Sequence, residues 1–201
     1  MKKEFLQFDA VRDNALKLAH RIYSEGFVPD VIYVSLRGGA YLGNVISEYF
    51  KIMRKGDHPV YYAAVVARSY TDVSKAEKVK IDGWTYSPDH LRVGDKVLLI
   101  DDIFDSGRTI NHLAQIIIDK GIPRKDLKIA VHDYKYFHDK KEQLPFQPDY
   151  CCRKHEISVN DESSWIHYMS HELVGLEKNE LEMYNYKNDP ELEKVFNSIL
   201  D

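Results

Sequence analysis

Two neighbouring carboxylates, Asp101 and Asp102, stand where an apolar run ends, and a third, Asp105, follows three residues later. The run before them, residues 97–100, is rich in branched side chains, which is typical of a buried parallel strand. Ligands of open α/β sheets bind at the carboxyl ends of such strands. Carboxylates repel a phosphate, but they accept hydrogen bonds from the hydroxyls of a sugar. We therefore expect Asp101 and Asp102 to bind a sugar diol.

The turn after these acids has the features of an anion site. Ser106, Gly107, Arg108 and Thr109 lead into a helical pattern, so free backbone N–H groups and two hydroxyls stand at a helix N-terminus. A phosphate fits that position, and the segment as a whole predicts a cradle for a phosphorylated sugar. The alternative, a strand–turn–helix with a solvated acidic tip, does not explain why acids and anion-binding donors share one loop.

The elements that must position this loop alternate between helices and strands. Apolar residues at helical spacing and short apolar runs predict helices over 9–25, 40–53 and 108–120, and strands over 31–34, 60–67, 96–100 and 127–131. This order implies a mostly parallel, twisted α/β sheet flanked by crossover helices. The polar stretch 68–95 predicts a long loop of the kind that forms lids.

The second half of the chain has a different pattern. Residues 133–185 are aromatic, His-rich and irregular, and we expect them to form a small lobe, the hood, over the carboxyl edge of the sheet. Asp189-Pro190-Glu191 combines an N-cap, an N1 proline and a first-turn acid, which predicts a closing helix over 190–200. We therefore expect one domain over 1–201, with a core over 1–132.

Composition limits the classes of function. The 201 residues suit one domain with a sizeable core, and the net charge of −4 argues against general nucleic-acid binding. The first residues lack the apolar segment of a secretory signal, and no stretch is long enough to span a bilayer. The two cysteines, Cys151 and Cys152, are adjacent, which disfavours a structural disulfide. A cytoplasmic protein is the default expectation.

The acidic segment also resembles a known motif. The phosphoribosyl-pyrophosphate (PRPP) motif of type I phosphoribosyltransferases is a hydrophobic strand, two acids, two apolar residues, Asp or another residue, Thr/Ser-Gly and Thr. Residues 97–110 resemble it. The resemblance implies that fold, with a hood, and the transfer of a 5-phosphoribosyl group from PRPP. It implies Mg²⁺ held near Asp101, Asp102 and Glu172. It also implies a set of PRPP-binding residues: Arg37, Gly38, Ser69, Tyr70, Asp101, Asp102, Asp105, Ser106, Gly107, Arg108 and Thr109.

Two further loops carry part of this resemblance. Ser35-Leu36-Arg37-Gly38-Gly39 is, taken alone, a helix-entry turn with a surface arginine, but it resembles the pyrophosphate loop of purine phosphoribosyltransferases. In that family the bond before the basic residue can be cis, which singles out Leu36–Arg37. Ser69-Tyr70 resembles the flexible catalytic loop of hypoxanthine-guanine phosphoribosyltransferases. A lid suits a reaction whose cation-like sugar would be captured by water; the alternative is an exposed loop serine and tyrosine.

The residues that would bind the acceptor base are the hardest to identify from the sequence. Asp105 resembles the acid that the 6-oxopurine enzymes place near N7 of the base, although Asp is also favoured as a helix N-cap. Trp165-Ile166 resembles the Trp-Ile of xanthine-guanine phosphoribosyltransferases, where the ring stacks on the purine. The resemblance also implies a lysine that binds the purine O6; the candidates are Lys135, which we favour, and Lys154.

Together these residues imply transfer to N9 of hypoxanthine, guanine or xanthine, with Asp101, Asp102 and Asp105 as the catalytic acids. The alternatives are a pyrimidine or other acceptor base, and a regulatory protein of this fold that senses PRPP. The family commonly forms dimers, so we expect a homodimer or homotetramer.

Overall fold

A computed structural model describes residues 2–54, 56, 58–71, 77–140, 143–159 and 164–200, with the backbone alone at 68–71, 77, 78 and 200. These residues form two compact units, one of residues 11–161 and one of the chain ends, residues 1–10 with 162–201. The elements run as β1 (Lys3–Leu6), α1 (Phe8–Ser24), β2 (Val31–Leu36), α2 (Ala40–Met53), β3 (Tyr61–Thr71), β4 (Glu77–Trp84), β5 (Val97–Phe104), α3 (Arg108–Asp119), β6 (Leu127–Phe137), β7 (Tyr150–Ile157), β8 (Trp165–Tyr168), α4 (Lys178–Leu181) and α5 (Pro190–Leu200).

The larger unit is built on a six-stranded sheet within the described residues, in the order β4-β3-β2-β5-β6-β7. Neighbouring strands are parallel except for β3 and β4, which are antiparallel. This arrangement confirms the predicted α/β class with a mostly parallel sheet.

The central strands are buried on both faces, which explains their continuous apolar sequence. On one face Tyr33 and Leu99 pack with residues of α3 such as Leu113. On the other face Ile32 and Leu98 pack with residues of α1 and α2. Because successive strand residues point to opposite faces, β2 and β5 contribute to both cores.

The predicted loop over 68–95 is largely a hairpin. Strand β3 continues to Thr71 and pairs with β4, from Val65 opposite Trp84 to Thr71 opposite Glu77. The polar sequence is compatible with strands because this pair lies at the edge of the sheet, where side chains reach solvent. Residues 72–76 lie outside the described part of the chain.

The core also extends further along the chain than predicted. Strand β6 runs to Phe137, and β7 adds to it in parallel, with Asp133 opposite Arg153. Residues 133–137 and 150–157 therefore belong to the main sheet and not to a hood. Polar side chains in β6 made the strand seem to end early, but the fully buried Asp133 forms an ion pair with Arg153 and a hydrogen bond with His155 on β7.

The smaller unit joins the two chain ends through a parallel pair, β1 and β8, with Lys3 opposite Trp165. Its core contains Leu176, Leu181 and Tyr186. Helix α5 begins at Pro190, and Asp189 accepts hydrogen bonds from the N–H groups of Glu191 and Leu192 as the expected cap. None of the described helices is both long and apolar enough to cross a membrane.

Candidate active site

Strand β5 delivers the acidic pair within its own length. The predicted strand ended at residue 100, whereas β5 continues to Phe104 and pairs Asp101 with Val131 of β6. The side chain of Asp101 is buried, and Asp102 is partly exposed. Burial and the adjacent Asp102 carboxylate raise the pKa of Asp101 well above its usual range, while a hydrogen bond from Ser35 opposes that shift. The two carboxyl groups therefore lie side by side at the end of one strand, and the buried one retains its proton more readily than a free aspartic acid.

The second loop lies directly against these acids. A Cβ added at Gly38 would lie 2.1 Å from Oδ2 of Asp102, and one at Gly39 would lie 3.0 Å from Cα of Asp101. Glycine is required here by this close approach, since any side chain would overlap the acidic pair. The Leu36–Arg37 bond, which the resemblance singled out as a candidate cis bond, is cis, and Arg37 is exposed. The structure thus brings the two sequence motifs into contact.

The anion-binding turn has the expected form. Gly107 is the N-cap of α3 with φ of +75°, and a Cβ there would lie 2.2 Å from the Phe104 ring. Ser106 Oγ accepts the N–H of Arg108 at 3.5 Å, and Thr109 lies in the first helical turn. Asp105 therefore does not occupy the capping position, which was the alternative role for its carboxylate.

Asp105 instead forms an ion pair across the sheet. Its Oδ2 is 3.1 Å from Nζ of Lys135, whose side chain is only 7% exposed. The other candidate lysine, Lys154, lies 3.0 Å from Glu156 and over the ring of Tyr136. The structure therefore associates Lys135, and not Lys154, with the acid of the motif.

Two supporting features were missed from sequence. Ser35 was not singled out, although its side chain is buried and bonds to Asp101. Asn111 was also missed: its amide donates to the carbonyls of Gly107 and Phe146 and its Oδ1 accepts the N–H of Phe146. A buried Asn on the apolar face of α3 is the sequence signal that could have identified it, because such an amide needs partners.

The remaining predicted site residues are not among those that the structure brings together around the acidic pair. Ser69 and Tyr70 belong to β3 opposite Val79 and Lys78, and their side chains lie outside the described part of the structure. Trp165 and Ile166 lie in the smaller unit, on β8. Glu172 is in the same unit, where its Oε2 accepts the Trp165 Nε1–H at 3.4 Å and the Tyr168 N–H at 3.1 Å.

The acidic pair fits the Mg²⁺ that the resemblance implies. Within the described residues no group of three or more His, Cys, Asp or Glu side chains is arranged to hold a metal ion. Mg²⁺, however, is commonly bound by one or two carboxylates together with substrate phosphates and water. Burial is the main cause of the raised pKa of Asp101, and repulsion from the adjacent Asp102 carboxylate adds to it; a cation beside the pair would offset that repulsion.

Comparisons with known proteins agree with this geometry. Two proteins named Bifunctional protein PyrR are 27% identical to the chain: over 143 residues in Brevibacillus brevis (70% of this chain, 76% of that protein) and over 154 in Halalkalibacterium halodurans (75% and 82%). The crystal structure of purine phosphoribosyltransferase from Pyrococcus horikoshii has the same fold, with a TM-score of 0.63 and 23% identity over 89% of this chain and 100% of that one.

The family assignment comes from a separate comparison. Residues 2–162 match the model of the phosphoribosyl transferase domain, which covers most of the chain, including the acidic strand, the glycine loop and the turn before α3. The chain therefore belongs to the phosphoribosyltransferase family, with the type I fold.

Proposed function

We propose that the protein transfers the 5-phosphoribosyl group of PRPP to N9 of a 6-oxopurine, which yields a nucleoside monophosphate and pyrophosphate. The observation that carries this choice of acceptor is the Lys135–Asp105 pair, with 3.1 Å between ammonium and carboxylate. O6 and N7 lie on one edge of a guanine, close enough for paired groups to contact both. Lys135 would donate to O6 while Asp105 accepts the N7 proton, and a pyrimidine has no equivalent of N7.

The other residues would position PRPP. Asp101 and Asp102 would hold the ribose hydroxyls, and the backbone N–H groups around Ser106 and Thr109 would hold the 5′-phosphate. Arg37 and the backbone at Gly38 would hold the pyrophosphate, with Ser69 and Tyr70 closing over it. In the reaction the bond from C1′ to the pyrophosphate oxygen breaks, and the bond from C1′ to N9 forms.

The proposed rate enhancement comes from positioning and electrostatics. Trp165 would stack on the base, and the backbone of Ile166 would meet its exocyclic group. Asp101 and Asp102 would hold Mg²⁺, with Glu172 as the further carboxylate that the resemblance implies, and the metal would supply charge neutralisation for the leaving pyrophosphate. The site needs no covalent nucleophile, because alignment of C1′ with N9 and stabilisation of the cation-like sugar are sufficient.

The test is an assay with PRPP, Mg²⁺ and hypoxanthine, guanine, xanthine, adenine, orotate or uracil. We expect turnover of at least one 6-oxopurine, and a loss of kcat in Asp105→Asn of about 10²- to 10⁴-fold, the usual range for a general base. Lys135→Met should raise KM for the base. Asp119→Asn, an exposed carboxylate on α3, is the matched control. Turnover of orotate or uracil alone would exclude the purine assignment.

A second candidate is a phosphoribosyltransferase for a pyrimidine or other base, or a PRPP-sensing regulatory protein. The similarity to bifunctional PyrR proteins favours this candidate. The same assay separates the two, because binding of PRPP without turnover of any base is expected of a sensor.

The cytoplasmic location and the homodimer or homotetramer also remain proposals, and sedimentation equilibrium measures the oligomeric state.

A further inference from the structure

A cleft opens at the amino ends of the central strands, whereas the acidic loop lies at their carboxyl ends. Its volume is about 360 Å³, and its lining includes Val31 and Tyr61, the first residues of β2 and β3, and Asp95, two residues before β5 begins. The acidic pair lies at the other, carboxyl end of β5. The volume is in the range of small-molecule sites in proteins.

One wall of the cleft is aromatic. The rings of Tyr61 and Tyr86 are stacked, with centroids 5.3 Å apart and planes 18° from parallel. The edge of the His90 ring approaches Tyr86 at 5.2 Å. Tyr61 nevertheless remains 51% exposed. The stacked pair therefore offers a preformed flat surface to another planar ring.

The cleft also has more hydrogen-bond donors than the protein itself uses. The carboxylate of Asp30 is occupied on both oxygens, by the guanidinium of Arg54 and the N–H of Lys96, each within 2.7 Å. Arg92 and His58 also line the cleft. Among the described residues neither of these two side chains has a hydrogen-bond or ion-pair partner. Two acids line the cleft: Asp30 is occupied as described, and Asp95 accepts the main-chain N–H of Arg92. The side-chain donors of Arg92 and His58 therefore stay available to an anion.

A buried tyrosine lies behind the cleft. The hydroxyl of Tyr33 is fully buried and has no hydrogen-bond partner within the described part of the chain. Its electrostatic neighbours are Tyr86 and Asp95, both of which line the cleft, and together with burial they raise the pKa of Tyr33. Tyr33 does not itself line the cleft, but it lies close behind these two residues that do.

We propose that this cleft is a second binding site, for a nucleoside phosphate, separate from the site of phosphoribosyl transfer. The base would lie on the Tyr61–Tyr86 pair, and the phosphate on the Arg92 guanidinium and the His58 ring. The aromatic wall and the neighbouring unpaired donors together match the two parts of such a ligand. The proposal does not depend on the identity of the acceptor base.

The two tryptophans make the two sites distinguishable. Trp84 packs edge-on against Tyr33, with ring centroids 4.9 Å apart, so it reports on the cleft. Trp165 is in the smaller unit, among the residues expected to bind the acceptor base. In protein labelled with 5-fluorotryptophan, guanosine 5′-monophosphate should shift the ¹⁹F resonance of Trp84 saturably. Trp84→Phe and Trp165→Phe assign the resonances.

Variants of the cleft test which groups bind. Arg92→Gln and Tyr61→Leu should each weaken the Trp84 response at least about tenfold, the effect of losing one charge-assisted hydrogen bond or one stacked ring. Arg12→Gln and Tyr62→Leu are the matched controls on exposed residues outside the cleft, and they should leave the response unchanged.

Three results would overturn the proposal. The first is a response of Trp165 without any response of Trp84, which would place the nucleotide at the transfer site alone. The second is a Trp84 response equally strong with inorganic phosphate, which would make the cleft an anion site without base recognition. The third is a Trp84 response that Arg92→Gln and Tyr61→Leu leave intact.

Discussion

At the scale of single residues, the absence of a side chain at Gly38 and at Gly39 allows the glycine loop to lie against the acidic pair. The hydrogen at Cα of Gly38 faces the carboxylate of Asp102, and Gly39 faces main-chain atoms of Ser35, Ile100 and Asp101 within 3.0 Å of where a Cβ would stand. Neither glycine has a positive φ, so its role is to permit close approach and not a special backbone conformation.

We therefore expect Gly38→Ala to displace the Asp102 carboxylate and to lower kcat/KM for PRPP by about 100-fold, as small misplacements in a positioned site do. Gly83→Ala is the matched control, because a Cβ there would meet nothing within 4 Å. Steady-state kinetics with PRPP as the varied substrate measures the effect. Equal activity of the two variants would show that the contact between the loops is unimportant.

At the scale of elements, Asn111 connects the start of α3 to the loop between β6 and β7. Its side chain is 8% exposed and makes three hydrogen bonds to main-chain groups of Gly107 and Phe146. The N-terminus of α3 is the expected phosphate site, so this amide holds in place the N–H groups on which phosphate binding would depend.

Replacing Asn111 by Leu should leave main-chain groups of Phe146 unpaired in a buried position. We expect the free energy of unfolding to fall by about 2–3 kcal/mol, the usual cost of such unsatisfied groups. Urea titration followed by circular dichroism measures this difference. Gln115→Ala on the exposed side of α3, which removes one bond to Asp119, should change the free energy by less than about 0.5 kcal/mol.

The sequence was informative about some elements and silent about others for physical reasons. Buried central strands such as β5 are apolar on both faces, so composition alone identifies them. Strand β6 is different, because its charged residue Asp133 is neutralised by Arg153 and His155, about 20 residues later. No local pattern reveals a partner at that distance, and the strand seemed to end early. The Lys135–Asp105 pair was hidden for the same reason, although each residue was singled out by its motif.

At the scale of the whole molecule, an ion pair connects the beginning of the chain to its end. Lys3 on β1 lies 2.7 Å from Glu180 on α4, and it also donates to the carbonyl of Gly175. The hydrogen bond from Lys3, with that from the N–H of Glu177, lowers the pKa of Glu180 below its usual range.

This lowered pKa determines how the stability of the smaller unit changes with pH. The stabilisation from Glu180 is fully present above the ordinary glutamate pKa and is lost as the pH falls through the lower, folded-state value. Lys3→Met should therefore destabilise the smaller unit at pH 7 and have less effect at pH 3. Fluorescence of Trp165 in a Trp84→Phe background, followed during urea titration, measures that unit, and Lys178→Met is the control. A destabilisation by Lys3→Met that is the same at both pH values would contradict the prediction.

The pairing of β1 with β8 also sets an order of events during synthesis. Lys3 leaves the ribosome first, but its partner Trp165 emerges only after the entire six-stranded sheet has been translated. Residues 11–161 contain every strand of that sheet, and domains generally fold as units during synthesis. The first strand must therefore remain unpaired, with its edge exposed, while the rest of the chain folds. The smaller unit consequently forms after the six-stranded sheet has been translated, and a nascent chain truncated before residue 165 would lack it altogether.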